Sequence, residues 1–196
     1  MQTEYEATFS PVEKNNMRHR LRGIGATLVK PEFLQKRTTF NPPDGVHLPS
    51  AWHRVRDEGD RITLSLKAEL GTTIVDQKEV CLTVNDYAQA VEILRTVCCQ
   101  EKAFQETKRE LWKLGDVEVT IDEWPYLEPF VEVEGPNEEA VRDVAEKLSF
   151  DWSQAKFCTV GTLYSEKYGT PLDIINNHTP RIVFGEPNPF LHNQAV

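Results

Sequence analysis

Arg61-Ile62-Thr63-Leu64-Ser65-Leu66-Lys67-Ala68-Glu69 alternates without a break. Arg61, Thr63, Ser65, Lys67 and Glu69 fall on one face, and Ile62, Leu64, Leu66 and Ala68 on the other. A period of two is the signature of a β-strand with one wet and one buried face. Upstream, Glu58-Gly59-Asp60 reads as a hairpin turn, and Ala51 to Asp57 as its partner, with Trp52, Arg54 and Arg56 on one face. Downstream, Lys78 to Val84 is a further strand. Phe104 to Leu114 and Asp116 to Glu123 are two long ones joined tightly at Gly115. The second sets Asp116, Glu118, Thr120 and Asp122 against Val117, Val119 and Ile121. Glu128 to Glu134 repeats the pattern before Gly135-Pro136 breaks it. At the other end of the chain, Gln2 to Phe9 places Glu4, Glu6 and Thr8 opposite Tyr5, Ala7 and Phe9. Residues 31–50 are the hardest to read. A short strand is expected over Phe33 to Phe40, followed by a turn at Asn41-Pro42-Pro43-Asp44-Gly45.

Helix signals lie between these strands. Ser10-Pro11-Val12-Glu13 has the form of a capping box with proline at the first helical position, predicting a helix to about Arg22 that stops at Gly23. Asn85 is the expected cap of a helix over Asp86 to Val97, and Asn137 of one reaching about Leu148. In the tail, Asp151-Trp152-Ser153-Gln154 and Thr170-Pro171-Leu172-Asp173 start short helices. About eight antiparallel strands and at least three amphipathic helices make an α+β protein. The economical arrangement is a β-barrel or tunnel with helices on its apolar outside, which leaves no strand edge exposed. The expected organisation is a tunnel domain over residues 1–150 and a helical extension over 151–196 packed on the barrel. The tyrosines and Asn176-Asn177-His178 of that extension read as packing, not as a site.

Composition narrows the function. The 196 residues carry 22 Lys+Arg against 31 Asp+Glu, a formal net charge of −9 that argues against a general nucleic-acid binder. No apolar run approaches the ~20 residues of a membrane helix, and mean hydropathy is −0.48. MQTEYEATF lacks a basic stretch followed by an apolar one, so no secretory signal is expected and the expected location is cytoplasmic. Cys81, Cys98, Cys99 and Cys158 form no CxxC pair, which removes zinc-ribbon and thioredoxin-like readings and leaves free thiols.

The wet faces are sorted by sign. Glu4 and Glu6, Asp122, and Glu132 and Glu134 are acidic, whereas Arg54 and Arg56, Lys67 and Arg109 are basic. Carboxylates two apart on a strand share a face at ~7 Å, and two such pairs repel unless a cation lies between them. Hard oxygen ligands of this kind suit Mg²⁺ or Mn²⁺. Two arginines on one strand face with a lysine on the next suit a chain of phosphates. Metal and phosphate in one cavity imply a di- or triphosphate substrate.

These residues bring a family into view. Thr3-Glu4-Tyr5-Glu6-Ala7-Thr8 resembles the ExExK motif of the CYTH superfamily, the triphosphate tunnel metalloenzymes. Arg54-Val55-Arg56 resembles its RxR strand, Leu64-Ser65-Leu66-Lys67 its lysine strand, and Lys108-Arg109-Glu110-Leu111-Trp112-Lys113-Leu114 its arginine strand. Ile121 to Glu134 resembles its acidic closing segment. The resemblance spans about residues 2–148 and implies an eight-stranded antiparallel tunnel, acidic at one side and basic at the other. By the same resemblance Glu4, Glu6, Glu132 and Glu134 hold the metal. Arg54, Arg56, Lys67 and Arg109 hold phosphates, with Lys108 as the alternative if the register differs by one. Asp122 orients a basic residue or helps with the metal, and Arg109, Lys67 and Asp122 carry the catalytic role. The third motif position is Thr8, where the family has lysine. Length and the Arg-Glu-Leu-Trp and Ile-Asp-Glu-Trp stretches look most like the class IV adenylyl cyclases, which convert ATP to cyclic AMP and pyrophosphate. The same motifs serve thiamine, inorganic and nucleoside triphosphatases, and Thr8 leaves room for a module that binds without turnover. The expected partner is a small-molecule triphosphate, with neither nucleic acid nor membrane, and a homodimer is left open.

Overall fold

A computed structural model describes residues 1–46, 48 and 50–191; residues 192–196 of the expected extension, and residues 47 and 49, lie outside the described residues. In chain order the elements are β1 (Gln2–Thr3), β2 (Tyr5–Phe9), α1 (Lys14–Gly23), β3 (Thr27–Asn41), β4 (Ala51–Asp57), β5 (Ile62–Glu69), β6 (Gln77–Val84) and α2 (Tyr87–Thr96). They continue with β7 (Gln100–Leu114), β8 (Val117–Glu123), β9 (Phe130–Gly135), α3 (Glu138–Lys147), α4 (Val160–Tyr168), α5 (Leu172–Asn177) and β10 (Arg181–Ile182).

Strand order across the sheet is β1-β6-β5-β4-β3-β7-β8-β9-β2. The first and last members belong to one segment, interrupted only at Glu4. β1 pairs with β6, β2 pairs with β9, and the Glu4 backbone N–H donates to the Gln77 carbonyl at 3.0 Å. Residues 2–9 thus join both ends of the sheet into a near-closed barrel. The eight strands of five residues or more pair antiparallel as expected, and β10 adds a short parallel pairing with β7. Gly115, at φ +60°, makes the tight β7–β8 turn.

The alternation decides what faces out. Val117, Val119 and Ile121 of β8 and Val131 and Val133 of β9 are buried beneath α1 and α3 with Leu21, Val141, Val144 and Leu148. A second cluster places Val55 and Phe40 under Ala90, Val91 and Leu94 of α2. The apolar cores therefore lie outside the barrel, as the sequence predicted, and charge is left inside.

Local details differ from the sequence reading. The α1 cap is Glu13 itself, whose carboxylate accepts from the N–H groups of Asn15 (3.0 Å) and Asn16 (2.7 Å), not Ser10. Asp86, not Asn85, caps α2, because its extended backbone lets the carboxylate accept from Gln89 N–H at 2.8 Å. Pro171 is the residue before α5, without a side-chain cap from Thr170. The short strand expected over Phe33–Phe40 is part of a 15-residue strand running the length of β7. Its register shifts between Leu28 and Lys30, Lys30 and Phe33, and Thr39 and Phe40.

The extension is fastened to the β8–β9 connection. Tyr164 Oη donates to the Pro125 carbonyl (2.7 Å) and Tyr168 Oη to that of Tyr126 (2.6 Å). Tyr126 Oη in turn donates to the Glu186 carbonyl at 2.7 Å. Trp124, Phe130, Leu163, Tyr164, Ile175, Ile182 and Phe190 form its buried core. Gly161 allows α4 to meet α5 closely, since a Cβ there would lie 2.7 Å from Asn176 Oδ1.

Candidate metal and anion site

A cavity of about 1020 Å³ occupies the inside of the barrel. Side chains reach it by the period of two: Arg54 and Arg56 from β4, Lys67 from β5, Glu79 from β6, Arg109 from β7, and Glu132 and Glu134 from β9.

On the acidic side, one carboxylate oxygen each of Glu4, Glu6 and Glu134 lie within 4.8 Å of one another. The register enforces this crowding. Glu134 stands directly opposite Glu6 on one neighbouring strand and Glu118 on the other, and like charges so placed destabilise a sheet. Burial, then the Glu4 charge, raises the Glu134 carboxyl to about 7, although its tip reaches solvent. Burial, then Glu132 and Glu4, holds Glu6 well above the usual carboxylate range. Three converging carboxylates that resist ionisation together fit a hard divalent cation, which would reverse the repulsion.

Two expected metal ligands are engaged elsewhere. Asp122, fully buried, accepts from Arg109 Nε at 2.7 Å and Nη2 at 2.6 Å, and from Thr120 Oγ1 at 3.0 Å. Glu132 accepts from Arg109 Nη2 at 2.5 Å. Both stand outside the three-carboxylate group. Of the two roles expected for Asp122, orienting a basic residue is the one its hydrogen bonds express.

On the basic side, Arg54 pairs with Glu79 (3.1 Å), Arg56 with Glu58 (2.6 Å) and Lys67 with Glu4 (2.7 Å). These pairs do not exhaust the donors. The buried Nε atoms of Arg37, Arg54 and Arg56 have no hydrogen-bond partner among the described residues. Burial, then the charges of Arg54 and Arg109, lowers the Arg56 guanidinium to about 10. Lys108 does not line the cavity. It lies on the opposite face of β7 from Arg109, bonded to Glu123 at 3.1 Å and 4.6 Å from the centroid of the Phe184 ring. Neighbours on a strand point opposite ways, and the observed register selects Arg109.

Thr8 stands opposite Glu132 on β9 and is bridged on its other side to Lys156 through backbone bonds of 2.9 and 3.0 Å. Its side chain is buried and the Lys156 ammonium reaches away to Glu166.

Several cavity residues escaped the sequence reading. Arg37 is one, and Glu58 and Glu79, the partners of Arg56 and Arg54, are others. The alternation of β6 through Gln77, Glu79 and Cys81 could have revealed Glu79, which faces Lys67 in register. The extension also contributes: Thr159, Thr162, Leu172, Asn176 and Asn177 line the cavity, correcting the expectation that this segment only packs.

The CYTH domain model matches residues 2–158. The chain belongs to the CYTH domain family. Solved structures agree with the CYTH fold. The PH1012 protein of Pyrococcus horikoshii OT3 superposes with TM-score 0.66 at 20% identity, covering 78% of this chain and 94% of that one. A candidate adenylate cyclase of Vibrio parahaemolyticus gives 0.71 at 11% identity, covering 84% and 98%. HpAC1 from Hippeastrum, an adenylyl cyclase candidate described as having a dominant triphosphatase activity, gives 0.56 at 13% identity, covering 87% and 99%. At these identities the likeness is one of fold. A sequence search of curated proteins found no match. Among the described residues no helix is long and apolar enough to cross a membrane.

Proposed function

We propose that this CYTH protein is a divalent-metal-dependent enzyme that binds a nucleoside triphosphate in its tunnel, with adenylyl cyclase chemistry as the leading reading. The supporting observation is a single cavity that joins three converging carboxylates to arginines whose buried Nε groups lack partners among the described residues. Glu4, Glu6 and Glu134 would hold Mg²⁺ or Mn²⁺, which would draw charge from phosphate oxygens and from the leaving group. Arg54, Arg56 and Lys67 would bind the phosphates. Arg109, clamped by Asp122 and Glu132, would present a fixed guanidinium edge. Cyclisation lets the ribose 3′-oxygen displace pyrophosphate from the α-phosphorus, whereas hydrolysis lets water attack the terminal phosphorus. Both require the chain to hold the phosphates in line and to balance charge on the departing oxygens. The cavity favours a substrate with an organic part, because Trp52, Asn41, Asn176 and Asn177 add neutral groups to the phosphate-binding ones. Triphosphatase activity is the second reading, favoured by the activity attributed to the Hippeastrum protein of the same fold. Incubating the protein with ATP or inorganic triphosphate and Mg²⁺ or Mn²⁺, and measuring cyclic AMP, pyrophosphate and phosphate, separates the two. Binding without any product would make the tunnel a binding module and overturn the enzyme reading.

A further inference from the structure

Arg37 is the anomaly of the cavity. Its side chain lines the tunnel while the residue is only 5% exposed. Each cation expected to hold phosphate has a carboxylate: Arg54 has Glu79, Arg56 has Glu58, Lys67 has Glu4, and Arg109 has Asp122 and Glu132. Of the other cavity cations, half-buried Lys102 has no such partner among the described residues, but Arg37 is the one that is buried. Arg37 has none within ion-pair distance among the described residues. Neutral groups hold it instead. Nη2 donates to Gln35 Oε1 (2.9 Å) and Thr107 Oγ1 (2.5 Å), Thr107 donates on to Gln35 (3.1 Å), and the guanidinium lies 4.6 Å from the Trp124 ring centroid. Nε is buried without a partner. In addition, Arg37 stands directly opposite Arg56 in the β3–β4 register. Two like charges facing each other, one of them buried and unpaired, cost stability unless an anion joins them.

We infer that Arg37 and Arg56 form a two-guanidinium clamp for a dianionic phosphoryl group, so that the substrate must carry a free terminal phosphate. This rests on the triphosphate reading above and deepens it. Internal phosphates of a chain carry one charge each, whereas a terminal phosphoryl group carries close to two at neutral pH. Only the terminal group matches both guanidiniums. Gln35, Thr107 and Trp124 preorganise Arg37 for it, which limits the entropy lost on binding.

The test compares wild type, Arg37→Met and Arg37→Lys by calorimetric titration and thermal melting. The ligands are ATP, inorganic triphosphate, and an ATP ester whose terminal phosphate is methylated. Wild type is expected to bind ATP at least tenfold more tightly than the ester. Arg37→Met should weaken inorganic triphosphate about ten- to a hundredfold, erase the difference between ATP and ester, and melt no lower than wild type without ligand. Arg37→Lys keeps the charge but not the fork, and should fall between the two; if Arg37→Met does not fold, this variant carries the comparison. Wild-type affinity in the variants, or equal binding of ATP and ester by wild type, overturns the clamp. If wild type ignores triphosphates altogether, the functional reading fails by itself. The clamp then stands only if inorganic phosphate raises the melting temperature of wild type and not of Arg37→Met, and it falls if phosphate does neither.

Discussion

Replacing Glu134 by Gln should stabilise the metal-free protein at alkaline pH and remove most of its response to Mg²⁺. Glu134 is raised from an ordinary 4.5 to about 7, by burial first and by Glu4 second. The folded protein therefore holds this proton more tightly than the unfolded chain does. Below pH 4.5 the carboxyl is protonated in both states and costs nothing. As pH rises from 4.5 through 7 the unfolded chain ionises first, and folding stability falls across that window. A shift of that size would correspond to about 3 kcal/mol for a fully buried group. Glu134 is open to solvent at its tip, so screening reduces the penalty to about 1–2 kcal/mol. For a protein of this length that is about 2–8 °C in Tm. Glu134→Gln should thus melt higher than wild type at pH 8 by this amount, with the difference vanishing near pH 4.5, in thermal melts followed with chelator present. Adding Mg²⁺ should then raise wild type well above its metal-free value and leave Glu134→Gln nearly unmoved. A variant that melts lower than wild type at pH 8 without metal, or gains as much from Mg²⁺, would refute the three-carboxylate site.

Arg56→Ala should cost about ten- to a hundredfold in triphosphate affinity, the worth of one or two charge-assisted bonds. Ligand-free Tm should fall only modestly, because Glu58 keeps Arg61 as a partner and Arg37 loses the like charge facing it; titration calorimetry and melting read the two effects separately. Asp122→Asn removes a fully buried partner of Arg109 and should lower stability by about 3 kcal/mol in urea unfolding, while weakening triphosphate binding as Arg109 loses its anchor. Lys108→Ala, on the outer face beside Glu123, should leave triphosphate affinity unchanged, and a tenfold loss would mean that the β7 register is wrong.

The inside and outside of this barrel were legible wherever polar and apolar residues alternate. β5 and β8 show it plainly: Glu118 and Thr120 against Val117, Val119 and Ile121 state which face meets α3. β3 could not be read this way. Around Arg37 both faces are polar, with Gln35 and Thr39 on one side and Lys36 and Thr38 on the other, and Thr38 turns outward to Tyr87 Oη at 2.7 Å. Without contrast between faces a strand does not announce its orientation, and the register shifts near Pro31 conceal its length. The acidic residues were recognisable, yet which of them converge was not. That depends on Glu6 standing opposite Glu134 while Thr8 stands opposite Glu132, and on the chain breaking at Glu4 to change partners from β6 to β9. Pairings between distant strands leave no mark on either strand alone.

Thr8 gains a physical meaning from those pairings. A lysine there would face Glu132 in register, and its ammonium would compete with Arg109 for that carboxylate. In this chain Arg109 bonds to both Glu132 and Asp122, and the place beside Thr8 is filled by the backbone of Lys156 rather than by a charge. Arg37 meanwhile adds a guanidinium to the opposite wall, facing Arg56. The cavity has therefore not simply lost a cation: positive charge absent from β2 stands on β3, held by neutral groups and without a carboxylate at ion-pair distance among the described residues. A wall arranged in this way is suited to gripping the far end of a phosphate chain. On the proposed function, the choice between the ribose hydroxyl and water as nucleophile would rest on what Trp52, Asn41 and the extension allow beside the phosphates, outside the charged residues of the tunnel.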